Sequence, residues 1–190
     1  LYLACNSKFS VMKKNTKQIL SVLQVATWII FIGLCIKAGA ILFSFLVSLF
    51  IDPAGAKNLY LELNLYALKD YSTFHYVRLG SLLVLLWILK AYLFYFVIKI
   101  FLKINFVHPF STEIAALILK ISYVALAIGV FSVTGNAYAE WLTEESVVLP
   151  VLDEHLGGGA EYLFFAGIIY FIAQIFNKGI EIQSENELTV

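Results

Sequence analysis

The side chains that could bind a metal ion or a haem are three histidines and the two acids, Asp153 and Glu154, that form an acidic triplet with one of them. The histidines are His75, His108 and His155, and none lies within a long apolar stretch. A haem in a helical bundle needs imidazoles that project inward from facing helices, so this distribution argues against one. His155 follows Asp153 and Glu154, and adjacent loop residues rarely converge on one ion. We therefore expect no metal site and no cofactor, and we interpret the triplet as part of a solvated acidic loop.

The remaining reactive residue types give no catalytic pattern. Cys5 and Cys35 are far apart in the chain and lack the spacing of a metal site or of thiol exchange. The three glycines at 157–159 lack the strand, the lysine and the helix start of a phosphate-binding loop. No serine, cysteine or aspartate has a base at a recognisable spacing. An enzyme, including an intramembrane one, is therefore the least favoured class of function.

Lysines within apolar stretches are the polar residues that most need an explanation. Lys37 and Lys90 lie inside such stretches, and Lys120 lies about two helical turns into another. A cation at the centre of a bilayer costs about 3 kcal/mol, so it usually faces protein or water. One interpretation is a polar site between helices, with Glu140 or Glu161 as the counter-charge. The other is that each lysine extends to the nearer interface, which is favoured for Lys120 and equally open for the other two.

The overall composition places these lysines in a membrane protein. Of the 190 residues, 61% are hydrophobic and 14% are charged, whereas a soluble domain is about a quarter charged and less than half apolar. The formal net charge is zero. There is therefore no basic field that would favour direct binding of nucleic acid.

Four apolar stretches predict an all-α membrane protein, a four-helix transmembrane bundle. About twenty residues cross a bilayer as a helix. The predicted spans are residues 20–50, 79–101, 114–133 and 162–176. The first is longer than a bilayer requires, so it is tilted or projects beyond the membrane.

The spans divide the chain into one domain with two short ends. Residues 12–190 are predicted to form a single membrane domain, whose last part, 177–190, is too polar to continue the fourth span. Met12 is the only methionine, and the sequence after it resembles the start of a bacterial membrane protein. We therefore interpret residues 1–11 as an over-extended start.

Basic residues predict how the spans are oriented. Lys13, Lys14, Lys17, Lys99, Lys103 and Lys178 lie on the side of the termini, and Lys57, Lys69 and Arg78 lie on the other side. Cytoplasmic loops carry the excess of lysine and arginine. Both termini are therefore predicted to lie in the cytoplasm, with the chain in a bacterial inner membrane.

The extracytoplasmic loop between the first two spans has a different periodicity. Leu59, Leu61, Leu63 and Leu65 alternate with polar or aromatic residues. A period of two predicts a short strand. A strand needs a partner, so either it pairs with residues 147–152, or its apolar face lies on the membrane or on another subunit.

Four segments of the chain resemble one family. They are WIIFIGLCIKAG in the first span, AYLFYFVIKIF at the end of the second, HPFSTE before the third and the tail GIEIQSENELTV. Together they resemble the bacterial four-span membrane proteins of unknown function grouped as DUF2975, in which the tail typically ends in Leu-Thr-Val. The chain departs from that pattern at His108, where the family usually has asparagine, and at Lys37, where an acid is expected.

The resemblance implies no activity, but it implies a partner. Genes of the family tend to accompany a small helix-turn-helix regulator of the Cro type. An acidic tail should be repelled by the anionic inner leaflet of the membrane, yet this tail also carries apolar residues. We expect Glu185, Glu187, Leu188 and Val190 to form a protein-binding motif, which either folds back on the basic 99–103 segment or binds a soluble partner.

Two classes of function therefore remain besides an enzyme. The first is a non-enzymatic regulatory or interaction module that docks a cytoplasmic partner through loop 99–113 and tail 177–190. The second is a small carrier or pore, built as a homo-oligomer in the bilayer, in which Lys37 and Lys90 line an anion-attracting path.

Overall fold

The computed structural model describes the backbone of residues 2–61, 63–104 and 110–188, and the side chains of 18–61, 63–104 and 110–185. All regular structure in these ranges is helical. The elements are α1 (Tyr2–Phe50), a 3-10 helix (Pro53–Lys57), α2 (Tyr66–Tyr71), α3 (Thr73–Lys103), α4 (Thr112–Glu144), α5 (Asp153–Leu156) and α6 (Gly159–Leu188). The predicted all-α class is confirmed for the described residues.

Four stretches of the described chain are long and apolar enough to cross a membrane. They are Gln18–Phe50, Thr73–Lys103, Thr112–Glu144 and Asp153–Glu185. The predicted number of spans is therefore confirmed by length and composition. The helices are longer than the predicted spans, because α4 continues to Glu144 and α6 to Leu188. A helix can continue beyond the bilayer, so the limits of the spans themselves stay a prediction.

The long helices pack in the order α1, α3, α4, α6, each against the next. The two inner helices are the most buried. In the apolar 18-residue stretch of each helix, 44% is buried in α3 and 50% in α4. The corresponding values for the outer helices are 6% for α1 and 11% for α6. The outer helices therefore present long apolar faces, as expected of helices in contact with hydrocarbon.

Small residues allow α4 and α6 to approach closely. A Cβ atom on Gly129 would lie 2.7 Å from Leu163 Cγ, and one on Gly159 would lie 2.8 Å from Val133 Cγ2. Close approach through small residues is common between membrane helices. In addition, Ser122 Oγ donates a hydrogen bond of 2.9 Å to Ala166 O, which satisfies a buried hydroxyl across the interface.

This contact fixes where α6 begins along the bundle. Gly159, the first residue of α6, lies beside Val133, and α4 continues for the eleven residues 134–144, about 17 Å at the usual helical rise. The part of the bundle beyond Val133 therefore contains α1, α3 and α4 with loops 51–72 and 145–158, and we call it the loop-rich end. The opposite end, with the α3–α4 connection and residues 177–188, is the tail end.

The loop between α1 and α3 contains no strand among its described residues, so the predicted strand is not found. Its backbone bonds locally: the Leu59 N–H donates to Leu63 O, and the Leu65 N–H donates to Ala56 O, both at 2.9 Å. These three leucines are buried, but Leu61 has a φ of 42° and is exposed. The alternation of leucines thus reflects burial on both sides of a turn rather than one face of a strand.

The segment predicted to pair with this loop lies beside it without forming a sheet. Leu149 and Pro150 line a common cleft with Asn64 and Tyr66. Residues 147–152 are also free of strand. The two loops therefore lie on either side of one cleft.

The glycine contact of α4 with α6 gives a stability prediction. Gly129→Leu is expected to lower the melting temperature of the detergent-purified protein, because overpacking of a close interface costs about 1–3 kcal/mol. Gly33→Leu on α1 is the matched control, since a Cβ atom there meets no atom within 4 Å and both changes raise helix propensity equally. A Gly129→Leu protein that melts at or above the temperature of the control would contradict the packing described here.

Candidate functional site

A polar cluster lies where α1 and α3 meet the short helix α5. It consists of Lys37 on α1, Trp87 and Lys90 on α3, and Glu154 and His155 on α5. We call these five residues the lysine cluster. Three separate parts of the chain supply it, so its geometry depends on how α5 is held.

Packing and hydrogen bonds hold α5 against the middle of the bundle. Leu156 is fully buried and lies beside Gly135 of α4, where a Cβ atom would come within 2.8 Å of Leu156 Cδ2. Asn136 Nδ2 donates a hydrogen bond of 3.1 Å to Leu156 O. Gly158, with a φ of +80°, then turns the chain into α6, a conformation that side-chain-bearing residues rarely adopt.

Lys37 is paired within the chain. Its ammonium group forms an ion pair with Glu154 Oε1 and lies 4.1 Å from the centroid of the Trp87 ring. The Lys37 side chain is 13% exposed, whereas that of Glu154 is 68% exposed. The pair is therefore open on the carboxylate side, and where water reaches such a pair it contributes at most about 1 kcal/mol.

Lys90 is more deeply buried and less well paired. Its residue is 9% exposed, and its Nζ donates one hydrogen bond of 3.3 Å to His155 O. The same Nζ lies 4.6 Å from the Trp87 ring centroid and 5.9 Å from that of Tyr162. No ion pair joins it to a carboxylate among the described residues. An ammonium group has three donors, so Lys90 can bind further acceptors.

His155 adds further hydrogen-bonding groups without partners. It is 6% exposed, and its ring meets the Trp87 ring edge-on at 5.8 Å. Neither His155 Nδ1 nor Nε2, nor Trp87 Nε1, has a hydrogen-bond partner among the described residues. Buried polar groups in proteins are normally hydrogen-bonded. The cluster therefore combines two cations with buried groups that can bind a ligand.

The structure changes the interpretation of several predicted residues. Both Lys37 and Lys90 face other residues of the chain. Lys37 pairs with Glu154, and not with Glu140 or Glu161, which the sequence had suggested as counter-charges. Lys120 is exposed at the surface of α4.

The sequence also misplaced His155, which was expected in a solvated loop and is buried. The missed signal is the pair Leu152 and Leu156, which flank the acidic triplet at a spacing of four and are both buried. Two apolar residues at that spacing indicate a helical turn with one buried face. Among the described residues, no group of three or more His, Cys, Asp or Glu side chains could hold a metal ion.

A second candidate region lies at the tail end. Phe110, just before α4, packs on α6, with its ring centroid 5.3 Å from that of Phe176. A Cβ atom on Gly179 would lie 2.6 Å from the Phe110 ring. The predicted docking loop and the predicted tail are therefore in direct contact, and the tail continues as helix to Leu188.

The described ion pairs of the tail end join residues that are at most ten positions apart in the chain. Lys103 pairs with Glu113, and Lys178 pairs with Glu181 at 2.7 Å. Glu185 is exposed. The side chains of Glu187, Leu188 and Val190, which complete the predicted motif, lie outside the described residues, as does His108.

The family model for the protein of unknown function DUF2975 matches residues 66–190, from the start of α2 to the end of the chain. The chain belongs to the DUF2975 family. The match contains Lys90, α5 and the tail, whereas α1 with Lys37 lies outside it, although the resemblance had extended to the first span. Comparison with curated proteins and with solved structures gave no match.

The burial of Lys90 gives a second stability prediction. A charged group held in the interior without a counter-ion has a desolvation cost on the order of several kcal/mol, which an apolar residue of similar volume does not have. In lipid-free detergent, Lys90→Met is therefore expected to melt at least as high as the unchanged protein. Lys120→Met is the control, because Lys120 is exposed and its replacement should not change the melting temperature. A clear fall in melting temperature for Lys90→Met alone would show that Lys90 is retained for stability rather than for a ligand.

Proposed function

We propose that this DUF2975 protein is a non-enzymatic regulatory module of the bacterial inner membrane, which docks a soluble partner at its tail end. The docking surface comprises the α3–α4 loop, residues 99–113, and the tail, residues 177–190. The observation that supports this most is the contact of Phe110 with Phe176 and Gly179. It joins the two segments into one surface, as a binding site requires.

The described part of the tail has side chains suited to binding a protein. Ile182 is 49% exposed, and it is flanked on the helix by the exposed acids Glu181 and Glu185. An exposed apolar residue with two acids nearby, one of them paired with Lys178, favours a partner with a basic, partly apolar face, since complementary charge guides association. An anionic membrane surface attracts basic segments instead, so the bilayer is a poor alternative for this face.

The proposed orientation places the tail end in the cytoplasm, because it carries more lysines than the loop-rich end. A small helix-turn-helix regulator of the Cro type is the proposed partner, and the family resemblance supplies it. The bilayer surrounds the four long helices. Direct contact with nucleic acid is not part of the proposal, since the partner would supply it.

The alternative, an oligomeric carrier or pore that uses Lys37 and Lys90, has less support. Glu154 already pairs with Lys37, and Lys90 is buried against α5. A path along these two lysines would therefore require α5 to move. The docking module requires no such movement.

Removal of the tail tests the proposal directly. The protein is co-expressed with a small helix-turn-helix regulator of the Cro type, the proposed partner, and recovery of the regulator is measured at equal amounts of membrane protein. Deletion of residues 184–190 is expected to lower recovery at least about tenfold, which corresponds to the loss of one good interfacial anchor. Unchanged recovery at normal protein level would contradict the proposal.

Matched charge changes separate the tail from a general effect of net charge. Replacing Glu181 and Glu185 by glutamine should reduce recovery, whereas the same change at Glu144 and Glu145, two exposed acids at the loop-rich end, should not. If deletion of the tail instead removes the protein from the membrane, the tail acts as an intramolecular clasp, and the docking proposal is wrong.

A further inference from the structure

A cleft between α3 and α6 opens beside the lysine cluster. It has a volume of about 320 Å³ and is lined by Leu93 and Phe94 of α3 and by Glu161, Tyr162 and Phe165 of α6. All but one of these side chains are aliphatic or aromatic. Phe165 is exposed, so the cleft opens at the outer surface of an apolar helix, where hydrocarbon chains of a bilayer lie.

The cleft and the lysine cluster are adjacent, with Tyr162 between them. Tyr162 lines the cleft, and its ring lies 5.9 Å from Lys90 Nζ. Leu93 follows Lys90 on α3 at a spacing of three, so the two side chains are neighbours on one helix face. A ligand lying in the cleft would therefore have one end next to Lys90, whose Nζ also contacts the His155 carbonyl group.

The charges of the cluster indicate what that end should carry. Lys37 and Lys90 are formally cationic and Glu154 is formally anionic, so these three side chains have a formal net charge of +1. The carboxylate of Glu154 is used by Lys37, while Lys90 has only a carbonyl oxygen. Buried charges are normally paired. One further negative charge with acceptor oxygens would complete the cluster.

The position of the cluster along the bundle indicates the source of that charge. Residues 159–176 of α6 are about 27 Å long, close to the thickness of the hydrocarbon core of a bilayer. Tyr162 lies in the first turn of α6, so Lys90 lies level with one end of this helix rather than with its middle. With the hydrocarbon core set along residues 159–176, lipid phosphate groups would lie at this level, and the core would then cover only part of the predicted span 79–101.

We propose that the cleft is a binding site for one anionic phospholipid, whose singly charged phosphodiester binds Lys90 and His155 while an acyl chain lies between α3 and α6. Glu161, the one acid of the cleft, disfavours a head group with a second negative charge by like-charge repulsion. The proposal is independent of the docking function, because the cleft lies at the start of α6, away from the tail end.

Native mass spectrometry of the full-length protein, released from detergent micelles, tests this site. The probes are phosphatidylglycerol, phosphatidylcholine, oleate and soluble glycerol phosphate, each titrated separately. Phosphatidylglycerol is expected to bind with one molecule per chain and more tightly than phosphatidylcholine, whose quaternary amine would approach two lysines. Glycerol phosphate should bind weakly, because it has no chain to occupy the cleft.

Substitutions identify the residue responsible. Lys90→Met should weaken binding of phosphatidylglycerol at least about tenfold, the expected effect of losing a charge-assisted hydrogen bond, whereas Lys90→Arg should retain it. Lys120→Met, which removes an exposed lysine of α4, is the matched control and should leave binding unchanged. Helical content measured by circular dichroism verifies that each variant is folded.

Three results would overturn the proposal. Equal affinity of the Lys90→Met and unchanged proteins would remove Lys90 from the site. Binding of oleate as tight as that of phosphatidylglycerol, with the same dependence on Lys90, would assign the site to carboxylate lipids. Binding of glycerol phosphate as tight as that of the whole lipid would assign it to a free anion and leave the cleft without a role.

Discussion

The position of α5 against α3 and α4 is the constraint on which both the fold and the lysine cluster depend. Leu156 fits beside Gly135, and Asn136 binds the Leu156 carbonyl group. Because α5 is held there, Gly158 can turn the chain directly into α6 beside Val133. A larger residue at position 135 would clash with Leu156, and both the start of α6 and the surroundings of Lys90 would change together.

The same packing brings opposite charges to one level of the bundle. Glu154 on α5 meets Lys37 on α1, while the carbonyl group of His155 meets Lys90 on α3. The Trp87 ring lies within 5 Å of both ammonium groups, and cation–π contact of this kind stabilises a desolvated cation by about 2 kcal/mol. The cluster still leaves the buried nitrogens of His155 without partners among the described residues. Buried polar groups without partners lower the stability of the fold, and a loss of stability of this kind is typical of a site that binds a ligand.

The sequence predicted the helical class and the four long helices because the bilayer sets a length that apolar composition alone reveals. It did not predict the partner of Lys37, since an ion pair between residues 37 and 154 depends on long-range packing and not on a local pattern. The strand predicted from the leucines at 59–65 was not found, because burial on both sides of a turn around Leu61 gives the same alternation as one face of a strand. At the tail end, the sequence predicts that loop 99–113 and tail 177–190 are functional, but the contact of Phe110 with Gly179 depends on tertiary structure.

The packing of α5 against the bundle, which buries His155, is the central claim. The rate of cysteine labelling tests it most directly. In a protein whose native cysteines are replaced by serine, His155→Cys and Glu154→Cys are each exposed to a water-soluble maleimide. The two positions are adjacent in sequence, but His155 is 6% exposed and the Glu154 side chain is 68% exposed. The structure predicts rapid labelling at position 154 and labelling at least about tenfold slower at position 155, since thiol reactivity requires access. Equal rates at the two positions would contradict it, because α5 would then lie in solvent and the lysine cluster would not exist as described.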